Sequence, residues 1–120
     1  NIKMKAIRPT AYIRFLNCLD AWDRMNPGKK LDSTEEQLLN QITLAATQGK
    51  ELLVGDLLSL GELGSQATLH GRIKNLVVRG YVKLNVDKVD SCKKFVTPTA
   101  KALRHYEHLS ACIEKALRSS

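Results

Sequence analysis

The stretch Gly61 to Val82, GELGSQATLHGRIKNLVVRGYV, constrains the fold more than any other part of the chain. Leu69, Ile73, Leu76 and Val77 recur at the i, i+4, i+7, i+8 spacing of one buried helix face. Ser65 stands where an N-cap belongs, and Gly80 where a C-terminal cap glycine belongs, so the helix runs to about Arg79. At about 100° per residue, Ala67, Thr68, Gly71, Asn75 and Val78 fall on the opposite side, flanked by Arg72, Lys74 and Arg79. An exposed helix face usually carries Glu and Lys, and a mid-helix glycine costs about 1 kcal/mol relative to alanine. A helix that buries one side and keeps the other short is suited to lie closely against something.

Its neighbours define the motif. KELLVGDLLSLGELG reads as a short extended entry, then a helix over Val54–Leu60 that buries Leu57, Leu58 and Leu60, then a turn between Gly61 and Gly64. Downstream, YVKLNV alternates, with Val82, Leu84 and Val86 on one face; DKVDSC is a turn-rich loop, and KKFV returns as a second strand. Helix, turn, helix and basic hairpin make a winged helix-turn-helix.

The flanks are helical. Residues 1–9 read as an arm ending at Pro9. Thr10 caps a helix to about Met25 whose stripe is Tyr12, Phe15, Leu16, Leu19 and Trp22, and NPGKK breaks it. Asp32 or Ser33 opens a second helix, with Glu35 or Glu36 completing a capping box, Leu38, Leu39, Ile42, Ala45 and Ala46 buried, and Gly49 as terminator. Thr97 and Pro98 match an N-cap and first-turn proline for a last helix striped by Leu103, Tyr106, Leu109, Ile113 and Leu117. The expected fold is mainly α with a small β-hairpin wing. Residues 1–120 form one domain, with terminal helices at about 10–26 and 98–118 around a winged helix-turn-helix at about 33–97.

Charge points to a polyanion. The net charge is +7. Residues 65–94 carry seven Lys/Arg against two Asp, whereas residues 33–64 carry one Lys against five acids. Clustered positive charge attracts nucleic acid or acidic lipid. No apolar run approaches the ~20 residues that span a bilayer, so no membrane partner is expected. Three cysteines without a CxxC pair argue against a disulfide framework or zinc ribbon, and suggest a reducing, cytoplasmic setting. The missing initiator Met reads as a fragment or a trimmed chain. No phosphate loop, HExxH or GxSxG is present, and no nucleophile–base or carboxylate pair stands out, so neither enzyme chemistry nor a cofactor is expected. His105 and His108 are i, i+3 neighbours; exposed polar residues are the plainer reading than a metal pair.

The major groove of B-DNA is about 12 Å wide, close to the diameter of a helix with its side chains. Ala67, Thr68 and Gly71 suit close approach to its floor, while Arg72, Lys74 and Arg79 can reach phosphates or base edges. The helix N-terminus offers N–H donors to a phosphate near Ser65 and Gln66. The competing readings of Gly71 are that it packs beneath another helix or is simply tolerated.

LLVGDLLSL, the ATLHGRIKNLVVRGYV core, the DKVDSCKK hairpin and VTPTAKAL opening the last helix together resemble the multiple-antibiotic-resistance regulator (MarR) family of bacterial winged-helix transcription factors, over about residues 10–118. The resemblance implies a cytoplasmic homodimer bound to double-stranded DNA at a pseudo-palindromic operator, most simply as a repressor, with a small-molecule effector possible. Ser65, Gln66, Thr68 and Arg72 would be DNA-reading positions, joined on the residue reading by Ala67, Gly71, Lys74 and Asn75. The wing, Asp87 to Lys94, would bring Lys88, Lys93 and Lys94 to the flanking minor groove. Tyr12, Phe15, Leu16, Leu19 and Trp22, with Tyr106, Leu109, Ile113 and Leu117, would form the dimer surface.

The departures from the family pattern are specific. Many members carry arginine where this chain has Gly71, and a wing-tip arginine where it has Cys92. Lysine lacks arginine's planar fork. ELLVGDL also resembles the helix that bears the metal box of arsenic-repressor-type regulators, but Leu53 and Gly55 occupy the ligand positions, so no metal site is expected. Cys18 is expected to be buried and structural, and Cys92 exposed and incidental. The alternative function is a winged-helix protein-interaction module in a larger assembly. A non-specific single-strand or RNA binder is disfavoured by an aromatic content of 5%, too low for a stacking platform.

Overall fold

The computed structural model describes residues 3–118. Its elements are α1 (Ala11–Met25), α2 (Ser33–Thr47), β1 (Leu52–Leu53), α3 (Val54–Leu58), α4 (Gln66–Val78), β2 (Val82–Val86), β3 (Lys94–Pro98) and α5 (Ala100–Arg118). The fold is mainly helical with one small antiparallel sheet, as the sequence implied. The described residues divide into two compact units, 31–105 and 3–30 with 106–118. The single domain expected over 1–120 extends at both ends beyond the described residues.

Local chemistry sets the boundaries in the central unit. Of the two capping registers, Asp32 takes the role: its Oδ1 accepts from Glu35 N at 2.7 Å, and Glu35 Oε1 accepts from Asp32 N at 2.9 Å. Ser65 Oγ accepts from Thr68 N at 3.2 Å and starts α4. Asp56 Oδ2 accepts from Leu53 N at 2.9 Å and stabilises the entry to the short α3. Gly49 and Gly80 hold φ of +73° and +81° just beyond α2 and α4, a conformation open to glycine at little cost.

The core is built from Leu38, Leu39 and Ile42 of α2, Leu57 of α3, Leu69, Ile73 and Leu76 of α4, and Val82 and Val96 of the sheet, all buried. Several details differ from the periodicity. Leu31 and Tyr81 join the core, whereas Ala46, on the edge of the α2 stripe, is exposed. The third helix ends at Leu58, leaving Leu58 and Leu60 half-buried, and Val77 is half-buried too. The hairpin gains a third strand: β1 pairs with β3 (Leu52↔Val96, Leu53↔Phe95), giving the order β1-β3-β2. On the edge strand β2, Val82 is buried while Leu84 and Val86 are exposed, although Val96, opposite Leu84 on the central strand β3, is buried. Pro98 closes β3, paired with Val82, instead of opening the last helix. Thr99 takes that role: its Oγ1 accepts from Ala102 N at 3.4 Å, and also donates to the carbonyl of Gly80.

In the terminal unit, Thr10 Oγ1 accepts from Ile13 N at 3.4 Å and caps α1 as expected. Arg14 Nε donates to the carbonyl of Ala116 at 2.9 Å, tying α1 to α5. Cys112 and Ala116 are buried, whereas α1 has no buried residue. Among the described residues no helix is long and apolar enough to cross a membrane.

Candidate nucleic-acid interface

The buried face of α4 is taken by Leu69, Ile73 and Leu76, which leaves Gln66, Ala67, Thr68, Gly71, Lys74 and Val78 exposed. A Cβ built on Gly71 would meet nothing within 4 Å. Gly71 is therefore not packed beneath another helix; its side of α4 is open. Ser65 and Thr68 are exposed at the helix start, their hydroxyls 3.0 Å apart in a hydrogen bond that supports the cap.

Two sequence-predicted residues sit differently from expectation. Asn75 does not lie on the open face. It is half-buried, and its Nδ2 donates to Oε2 of Glu35, itself only 3% exposed. Arg79 is likewise turned inward, with Nη1 3.9 Å from Glu35 Oε1 and its guanidinium 5.6 Å from the Tyr81 ring centroid. The reason is rotational. Asn75 and Arg79 share the edge of α4 that faces the N-terminus of α2, and a buried carboxylate there must find donors. Arg72 lies on the same edge, one turn earlier. Its Nε is 2.8 Å from Asp32 Oδ2, and its side chain remains 46% exposed. Glu35 is the polar residue that sequence reasoning placed only as a cap; its spacing to Asp32 gave no hint of its second duty to α4.

The wing is ordered by its two aspartates. Asp87 Oδ2 accepts from Val89 N at 3.3 Å and Asp90 N at 2.9 Å, and Asp90 Oδ1 accepts from Cys92 N at 3.0 Å. Lys88, Lys93 and Lys94 are exposed, as is Cys92, and Val89 projects at the tip, 96% exposed. A crevice of about 330 Å³ separates α4 from the hairpin, with Lys74 and Lys94 on its rim beside Val78 and Leu84. The structure thus brings together an open helix face of small residues and two lysine-bearing rims.

The terminal unit carries the second predicted set. Tyr12, Leu16, Trp22, Ile113 and Leu117 are exposed, Tyr12 by 66% and Leu117 by 69%, whereas Phe15, Leu19, Tyr106 and Leu109 are half-buried. Tyr12, Phe15, Ile113 and Leu117 line an apolar groove of about 340 Å³. His108 is not an exposed polar residue: its ring lies 3.8 Å from that of Trp22. No group of three or more His, Cys, Asp or Glu side chains among the described residues could hold a metal ion. Cys18 is half-exposed rather than buried, because it lies at the edge of the α1 stripe, and Cys112 is the buried thiol. Burial, reinforced by the neighbouring Cys18 thiol, pushes Cys112 up from 9.0 to about 11.

No protein-family model and no curated protein matches the chain. Solved structures do match in fold. BpsR of Bordetella bronchiseptica, whose DNA binding is regulated by 6-hydroxynicotinic acid, superposes with a TM-score of 0.54 at 23% identity, over 90% of this chain and 71% of its own. A variant of S. aureus MepR bound to an oligodeoxyribonucleotide gives a TM-score of 0.64 at 15% identity, over 88% of this chain and 69% of its own. The heme sensor PefR of Streptococcus agalactiae, in complex with heme, gives 0.62 at 16% identity, over 83% and 66%. The class that the element order and sheet define is the winged helix-turn-helix. Its particular form is the MarR-type winged-helix fold that these regulators have.

Proposed function

We propose that the protein is a sequence-specific, double-stranded-DNA-binding transcriptional regulator, working in the cytoplasm as a homodimeric repressor. The observation that carries this reading is the open face of α4: Ala67 and Gly71 are exposed and unobstructed, while the leucine–isoleucine side is fully used by the core. Short side chains let the helix backbone approach the bases of a major groove, and Gln66, Thr68, Arg72 and Lys74 surround them with donors. Lys88, Lys93 and Lys94 on the wing add phosphate contacts without base readout.

The uncovered apolar surface of α1 and α5 supports a second copy as partner. Two subunits related by a two-fold axis would place two α4 helices on half-sites about 10 bp apart centre to centre, or a multiple of this, on a pseudo-palindrome. Occupancy would exclude polymerase from an overlapping promoter.

Selecting bound sequences from a random duplex pool, then titrating the selected duplex at several salt concentrations, tests the reading. The expected result is a pseudo-palindromic consensus and an affinity that falls steeply with salt. Binding that ignores sequence, or shows no salt dependence, would overturn it and favour a protein-interaction role for the same face.

A further inference from the structure

Asp32 divides its two carboxylate oxygens between two tasks. Oδ1 accepts from Glu35 N at 2.7 Å and caps α2. Oδ2 lies 2.8 Å from Arg72 Nε. A guanidinium has five N–H donors in one plane, and Nε carries one of them. An ion pair made through Nε restrains the guanidinium and spares the two Nη groups for a ligand, and the side chain remains 46% exposed. The preceding residue, Gly71, carries no side chain, and a Cβ built there would meet nothing within 4 Å.

We infer that Asp32 is a positioning residue, and that it orients Arg72 so that its Nη1/Nη2 end reads a guanine in the major groove. This rests on the DNA-binding reading above and deepens it by naming the base and the residue that makes its recognition selective. A phosphate accepts hydrogen bonds from many directions and needs no fixed guanidinium plane. The O6/N7 edge of guanine needs two donors in the plane of the base. An unanchored arginine loses many rotamers on forming that pair, whereas one already held at Nε loses few.

The location of the carboxylate makes the inference testable by sign. Asp32 is 44% exposed at a face proposed to meet a polyanion. If it were only a nearby negative charge, removing it would tighten DNA binding. If it orients Arg72, removing it loosens operator binding and blurs one base.

Asp32→Asn is the suitable variant, because asparagine caps a helix as well as aspartate and keeps an oxygen for Glu35 N. The full chain, shown by circular dichroism and thermal melting to be folded, is titrated against its selected operator. The same titration is run against operators carrying each single base-pair substitution, and against random duplex, all at one salt concentration. The expected result is roughly tenfold weaker operator binding, with discrimination at one G·C pair per half-site reduced by about fivefold or more. Random duplex is bound as tightly as before, or tighter. Arg72→Lys should lose discrimination at the same pair, and adding Asp32→Asn to it should blur that pair no further. Tighter operator binding by Asp32→Asn with an unchanged base profile would overturn the positioning role alone. A wild-type protein that selects no sequence would overturn both this inference and the regulator reading.

Discussion

Glu35 joins the N-terminus of α2 to the C-terminal half of α4, and its removal should be felt by the whole central unit. In Glu35→Ala, three interactions go. The backbone N–H of Asp32 loses its 2.9 Å acceptor, half of the capping box, at a cost of about 0.5–1 kcal/mol. The half-buried Asn75 amide loses the partner of its Nδ2, and an unsatisfied buried donor costs about 1–3 kcal/mol. Arg79, 3.9 Å away with a side chain 21% exposed, can turn to water and adds little. The sum is about 1.5–4 kcal/mol, a large share of the 5–15 kcal/mol typical of a domain. Urea unfolding followed by far-UV circular dichroism measures it; Trp22, the single tryptophan, belongs to the other unit and is a poor probe here. Gln37→Ala, at an exposed site on the same helix, should stay within about 0.5 kcal/mol of wild type. Combining Glu35→Ala with Asn75→Ala should cost about 1–2 kcal/mol less than the two single losses added. A loss below about 1 kcal/mol for Glu35→Ala, or strict additivity in the double variant, would refute the argument that this carboxylate anchors α4.

Further expectations follow from individual sites. Thr43 Oγ1 is buried without a hydrogen-bond partner among the described residues, so Thr43→Val should stabilise the central unit by about 1 kcal/mol in the same urea assay. Gly71→Ala meets no atom within 4 Å and should raise helix stability by up to about 1 kcal/mol. If α4 lies in a groove as proposed, the same change should weaken operator binding, so stability and affinity measured together should move in opposite directions. Ile113→Lys puts a charge on the exposed apolar groove; if a second copy covers that groove as proposed, sedimentation velocity should show a dimer for the wild type and a monomer for the variant. Alkylation near neutral pH, read by mass spectrometry, should modify the exposed Cys92 first and the buried Cys112 last. Because Cys112 holds its proton to about pH 11 when folded but only to about 9 when unfolded, its contribution to stability is complete below pH 9 and is lost between 9 and 11. Chemical denaturation across that range should show the decline, and Cys112→Ala should flatten it.

The sequence by itself determined where the helices start and which faces they bury. Ser65 and Gly80 bracket α4, Asp32 and Glu35 form a capping box, and the spacing of Leu69, Ile73 and Leu76 marks the core side, because caps and helical periodicity are local properties of consecutive residues. The winged helix-turn-helix was legible from the order of the elements, and the likeness to the MarR type only from a resemblance of motifs along it. Only tertiary structure could decide which residue at the edge of a helix turns inward. By angle alone Asn75 belongs to the open face with Gly71; the buried Glu35, forty residues away in the chain, draws it in, and takes Arg79 with it. The same holds for β1, a two-residue strand with no pattern of its own that exists because the edge of β3 is there to pair with it. It holds also for Thr99 displacing Thr97, since Pro98 is fixed opposite Val82 in the sheet. Periodicity gives each residue a direction around its own helix, whereas a polar atom's partner is fixed by what distant segments bring within about 3 Å of it.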